Sequence, residues 1–184
     1  MLERNFFEYE NFVSFDEYNF NTYSNELVKQ FQTICSEIDV QCKLICDFIG
    51  NPVSRSNIFC YAERLIPRWE GFVDAEIELR DNHNFKLAPW KEWTTTTSPS
   101  WWSSYNKVKH ARLTNDNEKE ANLGNTFNAL AALYILETYF YKEIVERENP
   151  PLDPFKRPAN SNYYFTFLGW DENVTMAYNL LLEH

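Results

Sequence analysis

The chain has 184 residues, 44% of them hydrophobic and 17% aromatic, and carries a formal charge of −10. That composition supplies enough apolar surface for one packed domain and argues against disorder, while the acidic balance excludes a surface that coats nucleic acid generally. There is no basic N-terminal region leading into an apolar run, and no stretch of about 18 apolar residues, so a cytoplasmic protein without membrane contact is expected.

Residues 5–23 alternate aromatic and polar side chains, among them Phe6, Tyr9, Phe12, Phe15, Tyr18 and Phe20. This pattern predicts an extended arm or short hairpin laid over a core. Ser24-Asn25-Glu26 then opens a helical pattern in which Leu27, Phe31, Ile34, Ile38, Cys42 and Ile45 recur at steps of three and four, until Gly50-Asn51-Pro52 stops it. A helix over 24–49 follows. Cys35, Cys42 and Cys46 share its apolar face, where reduced cysteines pack as small hydrophobes, and no metal or other cofactor is expected.

A shorter helix is predicted over 56–66, ending before Pro67. The order Phe72 to Leu79, a polar turn at Asp81-Asn82-His83-Asn84, then Phe85-Lys86-Leu87 predicts a β-hairpin. His83 is there as a turn residue, and Asp74, Glu76 and Glu78 alternate as a solvated strand face. The hydroxyl-rich run Thr94 to Ser98 reads as a loop that enters a helix at Ser100. In that helix Trp101, Tyr105 and Val108 should face inward, and Asn106 and His110, four apart, should share another face. The tryptophans Trp90, Trp93, Trp101 and Trp102 are expected in the core.

A long apolar helix, from about 118 or 124 to 147, should lie at the centre, followed by proline-rich irregular chain and a last strand near 163–168. Residues 1–181 therefore form one domain. The terminal Leu182-Glu183-His184 resembles a remnant of an expression tag and is set aside.

No phosphate-cradling glycine loop and no His-Glu-x-x-His motif is present. One segment, Tyr105-Asn106-Lys107-Val108-Lys109-His110-Ala111-Arg112, gathers three basic residues and a histidine in an otherwise acidic chain. A histidine titrating near neutrality can take a proton from a ribose hydroxyl or give one to a leaving oxygen, while Lys and Arg stabilise charge on a phosphoryl group. The same residues also suit a helix C-terminus, where they complement the macrodipole and bond the last carbonyls.

This segment, with Asn122 and the helix Asn125-Thr126-Phe127-Asn128-Ala129-Leu130-Ala131-Ala132-Leu133, resembles the bacterial HEPN-like proteins. The similarity covers the first long helix and residues 100–145. It implies a mainly α helical bundle, with the β-hairpin as an insertion, often assembled as a homodimer. It further implies a role in defence or toxin–antitoxin systems, with RNA or a cognate antitoxin as partner and metal-independent RNA cleavage in the catalytic forms. On that resemblance His110, Arg112 and Asn106 are the candidate catalytic residues, and Lys107 and Lys109 bind the phosphate. The catalytic pattern carries an Arg upstream of its His, where this chain has Ser103, Ser104 and Tyr105. That departure keeps a non-catalytic protein-interaction or dimerisation module open as the alternative.

Overall fold

The computed structural model describes residues 2–55, 57–79, 82–147 and 164–168, with the backbone alone at 82–84. Five α-helices are described: α1 (Leu2–Phe7), α2 (Asn25–Phe48), α3 (Ile58–Leu65), α4 (Ser100–Ala111) and α5 (Leu123–Arg147). Three short strands accompany them: β1 (Ile77–Leu79), β2 (Asn82–Leu87) and β3 (Phe165–Phe167). The chain is thus mainly helical with a small antiparallel sheet, ordered β2-β1-β3.

Both long helices are delimited by local chemistry. The Ser24 hydroxyl accepts a hydrogen bond from the Leu27 amide at 3.1 Å and caps α2. At its other end Gly50 adopts φ +75°, and the Asn51 amide donates to the Cys46 carbonyl at 2.9 Å, a Schellman termination whose left-handed residue is most readily a glycine. The Asn122 carboxamide caps α5 through the Asn125 amide at 2.9 Å. The next two free amides of α5, at Leu123 and Gly124, donate to the carbonyls of Thr22 and Phe20.

α2 and α5 lie side by side and run parallel, because Tyr23 bridges Asn122 where both begin and Arg147 donates to the Phe48 carbonyl at 3.0 Å where both end. α4 runs back along α2: its Tyr105 ring sits edge-on to Phe31, and Arg112, just past its end, reaches Asn25 at the start of α2. The apolar face predicted for α2 is buried, including Cys35, Cys42 and Cys46. α5 is buried on nearly all sides along its first four turns, as its sequence suggested for a central helix.

The expectation of an extended arm over 5–23 is overturned. Residues 2–7 form α1 and residues 8–11 and 17–19 form single 3-10 turns. The aromatic alternation read as strand reflects packing around one ring instead. Phe127 of α5 meets Phe6 at 4.9 Å, Phe15 at 5.0 Å and Phe85 at 4.9 Å between ring centroids. Adjacent Phe6 and Phe7 are both buried, which a two-faced strand over a core would not allow.

The hairpin forms, but later than predicted: Phe72 to Ala75 are turn and loop, and β1 begins at Ile77. Ile77 pairs with Leu87 on one side and Phe167 on the other, with Glu78 opposite Lys86. Phe165 and Phe167 turn the sheet's inner face onto Tyr134 and Tyr139 of α5. Asp74 and Glu76 are exposed and Glu78 is half-buried. The side chain of His83 and residues 182–184 lie outside the described residues.

The tryptophans fill the core as expected. The Trp90 ring lies tilted 4.6 Å from Trp93 and meets Trp101 edge to face at 5.3 Å between centroids. Burying an indole leaves its N–H in need of an acceptor; Trp90 donates to the Ala132 carbonyl at 3.0 Å and Trp101 to the Pro89 carbonyl at 2.8 Å. These bonds fix the loop before α4 onto α5 and so set where the outer edge of α4 lies.

Candidate functional site: the outer edge of α4

α4 anchors itself through Trp101, Trp102, Tyr105 and Val108, all buried. At 100° per residue that inward face leaves Asn106, Lys107, Lys109 and His110 exposed. Asn106 and His110 share one side of the helix, as their spacing predicts. Among the described residues neither side chain has a hydrogen-bond partner, so both meet solvent.

The three cations are held apart. The Lys107 ammonium pairs with the Glu120 carboxylate at 2.6 Å, and the other oxygen of that carboxylate accepts from the Ser104 hydroxyl at 2.6 Å. These two contacts hold the Glu120 carboxyl below its ordinary range, Lys107 having the larger effect and Ser104 the next. The Lys109 ammonium lies 5.3 Å from the centroid of the Tyr105 ring. Burial raises the Tyr105 phenol, an effect that Lys109 partly offsets.

Arg112 lies two residues beyond His110, so a continuing helical backbone turns it about 200° away. α4 ends at Ala111, yet Arg112 keeps right-handed helical backbone angles, φ −48° and ψ −45°. Its guanidinium therefore swings away from His110 and donates to the Asn25 carboxamide at 3.0 Å. His110 and Arg112 are not brought together in one chain. The α4 C-terminus is closed by the following turn, in which the Asn117 amide group donates to the Ala111 carbonyl and the Glu118 amide to the Arg112 carbonyl.

Sequence reasoning missed Glu120 as the shared partner of Lys107 and Ser104. Ser104 and Lys107 at i and i+3 signalled a shared face, but nothing local could place Glu120 against it across the intervening turn. A second polar cluster was also missed. Glu143, 2% exposed, accepts from Arg68 at 2.7 and 3.0 Å, from the Trp69 indole at 3.1 Å and from Arg147 at 2.9 Å. It borders a pocket of about 250 Å³ with Arg68, Trp69, Glu70, Lys142 and Glu146, near the far end of α5 from its cap.

The geometry defines a class: a mainly α protein with a small antiparallel sheet, bearing a basic, histidine-containing helix edge. No helix among the described residues is long and apolar enough to cross a membrane. Comparison of the chain with protein-family models, with curated proteins and with solved structures found no match.

Proposed function

We propose that the chain is a HEPN-like protein that contacts RNA through the outer edge of α4. The observation that carries this reading is the concentration of Lys107, Lys109, His110 and Arg112 at the end of one helix, in a protein of charge −10. Local positive potential on an acidic protein directs a polyanion to one place. Asn106 and Lys109 would contact phosphate or base edges, and His110 would stand next to the chain. The resemblance to HEPN-like proteins supports a role in bacterial defence or a toxin–antitoxin pair, with a cognate antitoxin or a second copy as protein partner.

RNA cleavage is an extension of the same reading. His110, facing solvent without an internal partner, is suited to proton transfer, and Asn106 lies one turn away on the same side of the helix, where it would orient the ring only once substrate is bound. The stabilising cation is not supplied next to it within one chain, since Lys107 and Arg112 point to Glu120 and Asn25. Cleavage would draw that cation from a second subunit. Those same two contacts favour the other reading, a non-catalytic interaction module in which the basic residues serve only α4 and its turn.

The test is to incubate a mixed RNA pool with wild type and His110→Ala in EDTA, with matched circular dichroism spectra, and to score both binding and cleavage. Binding by both with cleavage by wild type alone supports a metal-independent nuclease. Binding without cleavage supports an RNA-binding protein. Neither binding nor cleavage supports the interaction module.

A further inference from the structure

The segment from Leu113 to Ala121, between α4 and α5, closes over the basic edge of α4 with a carboxylate. Glu120 occupies both Lys107 and Ser104, each at 2.6 Å. Lys107 is the cation on α4 that a phosphate would otherwise meet next to Asn106 and His110, and a carboxylate at ion-pair distance presents to it the same kind of anionic oxygen that a phosphodiester would. The site thus holds an internal substitute for its own ligand.

The rest of the segment is arranged as a removable cover would be. Asn115 and Asp116 are consecutive residues at φ 52° and 57°, a left-handed conformation that Asn and Asp adopt more readily than other residues bearing a side chain, at a small cost. Leu113 is 91% exposed and gains nothing from burial. Asp116 is engaged within the segment itself, by Lys119 at 2.8 Å, so Glu120 is the carboxylate that grips α4. Against these costs the closed form is kept by the bonds from Asn117 to the Ala111 carbonyl and from Glu118 to the Arg112 carbonyl, and by the Glu120 carboxylate, while the segment's end is fixed by the Asn125 carboxamide on the Glu120 carbonyl at 2.8 Å and by the buried Ala121.

We propose that residues 113–121 form an autoinhibitory strap, in which Glu120 masks Lys107 until a polyanion displaces it. This rests on the reading of α4 as an RNA-contacting edge and adds its regulation. An incoming phosphate exchanges one anion for another at Lys107 and lets the left-handed turn relax. RNA binding by the wild-type chain is therefore weaker than its cation count implies.

The experiment titrates a labelled oligouridylate, and separately inorganic polyphosphate, against wild type, Glu120→Gln, Glu118→Gln and the double variant Glu120→Gln/Lys107→Gln, over a range of salt. Circular dichroism checks that each variant is folded. Glu118→Gln removes a nearby charge that makes no ion pair with α4 among the described residues. With the strap, Glu120→Gln binds about tenfold more tightly at low salt, and its logarithmic salt slope steepens by about one phosphate contact. Glu118→Gln changes little, and the double variant loses the gain. A gain with polyphosphate but not with oligouridylate keeps the strap and removes the RNA reading. Equal effects of Glu120→Gln and Glu118→Gln, or no gain with either probe, overturn the strap; if wild type still binds oligouridylate, the RNA reading stands without it.

Discussion

Glu143 and Arg68 form a two-point ion pair, at 2.7 and 3.0 Å, around a carboxylate that is almost wholly removed from solvent. The pair joins the loop after α3 to the last turns of α5, residues 75 positions apart in sequence. The Arg68 hydrogen bonds, with further help from Trp69 and Arg147, hold the Glu143 carboxyl down at about 2 despite its burial.

A depressed acid contributes stability above its unfolded-state value and loses it as pH falls through its folded one. Glu143 therefore stabilises the fold fully above pH 4.5 and progressively less on approaching pH 2. Glu143→Gln should lower stability at neutral pH by about 1–3 kcal/mol, the order expected for losing charge-assisted hydrogen bonds while Arg68 and Arg147 keep access to solvent. The variant should also lose less of its remaining stability than wild type between those two pH values, measured by denaturant unfolding across that range.

Gly124 sits in the first turn of α5, where a Cβ would lie 2.9 Å from the Phe20 side chain. Glycine to alanine in a helix ordinarily gains about 1 kcal/mol. Here the Gly124 amide is already bonded to the Phe20 carbonyl, which fixes the close approach. Gly124→Ala should destabilise the chain by about 1–3 kcal/mol through overpacking, seen as a lower melting temperature.

Phe6 tests the revised N-terminus. It is fully buried and meets Phe15 at 5.3 Å and Phe127 at 4.9 Å. Phe6→Ala should cost about 3–5 kcal/mol in equilibrium unfolding, whereas an aromatic on a loosely laid arm would cost far less. Exposed Phe12→Ala is the internal contrast and should change stability by about 0.5 kcal/mol or less.

The helices were legible because their signals are local. Ser24, Gly50, Ser100 and the spacing of Leu27 to Ile45 are each set within a few residues, and α2 and α4 begin or end within a residue or two of where those residues place them. The aromatic N-terminus was not legible, since what decides its form is a ring on α5 more than a hundred residues away. The start of β1 was read too early for a related reason: Phe72 is buried against Trp90 and Tyr139 from a turn, and burial alone does not make a strand. At α4, sequence placed Trp101, Tyr105 and Val108 inward and Asn106 and His110 together on another face, and that face is exposed. It could not place the partners of Lys107 and Arg112, because Glu120 and Asn25 reach α4 only through tertiary packing.

The central claim, that α4 presents an RNA-contacting edge, is tested most directly by the salt dependence of oligouridylate binding to wild type and to Lys109→Gln/His110→Gln, in which both changes fall on exposed positions. The account predicts measurable binding by wild type and a double variant that binds more weakly, with its logarithmic slope reduced by about one to two phosphate contacts. Binding of equal strength and slope by both proteins, or none by wild type, would contradict it.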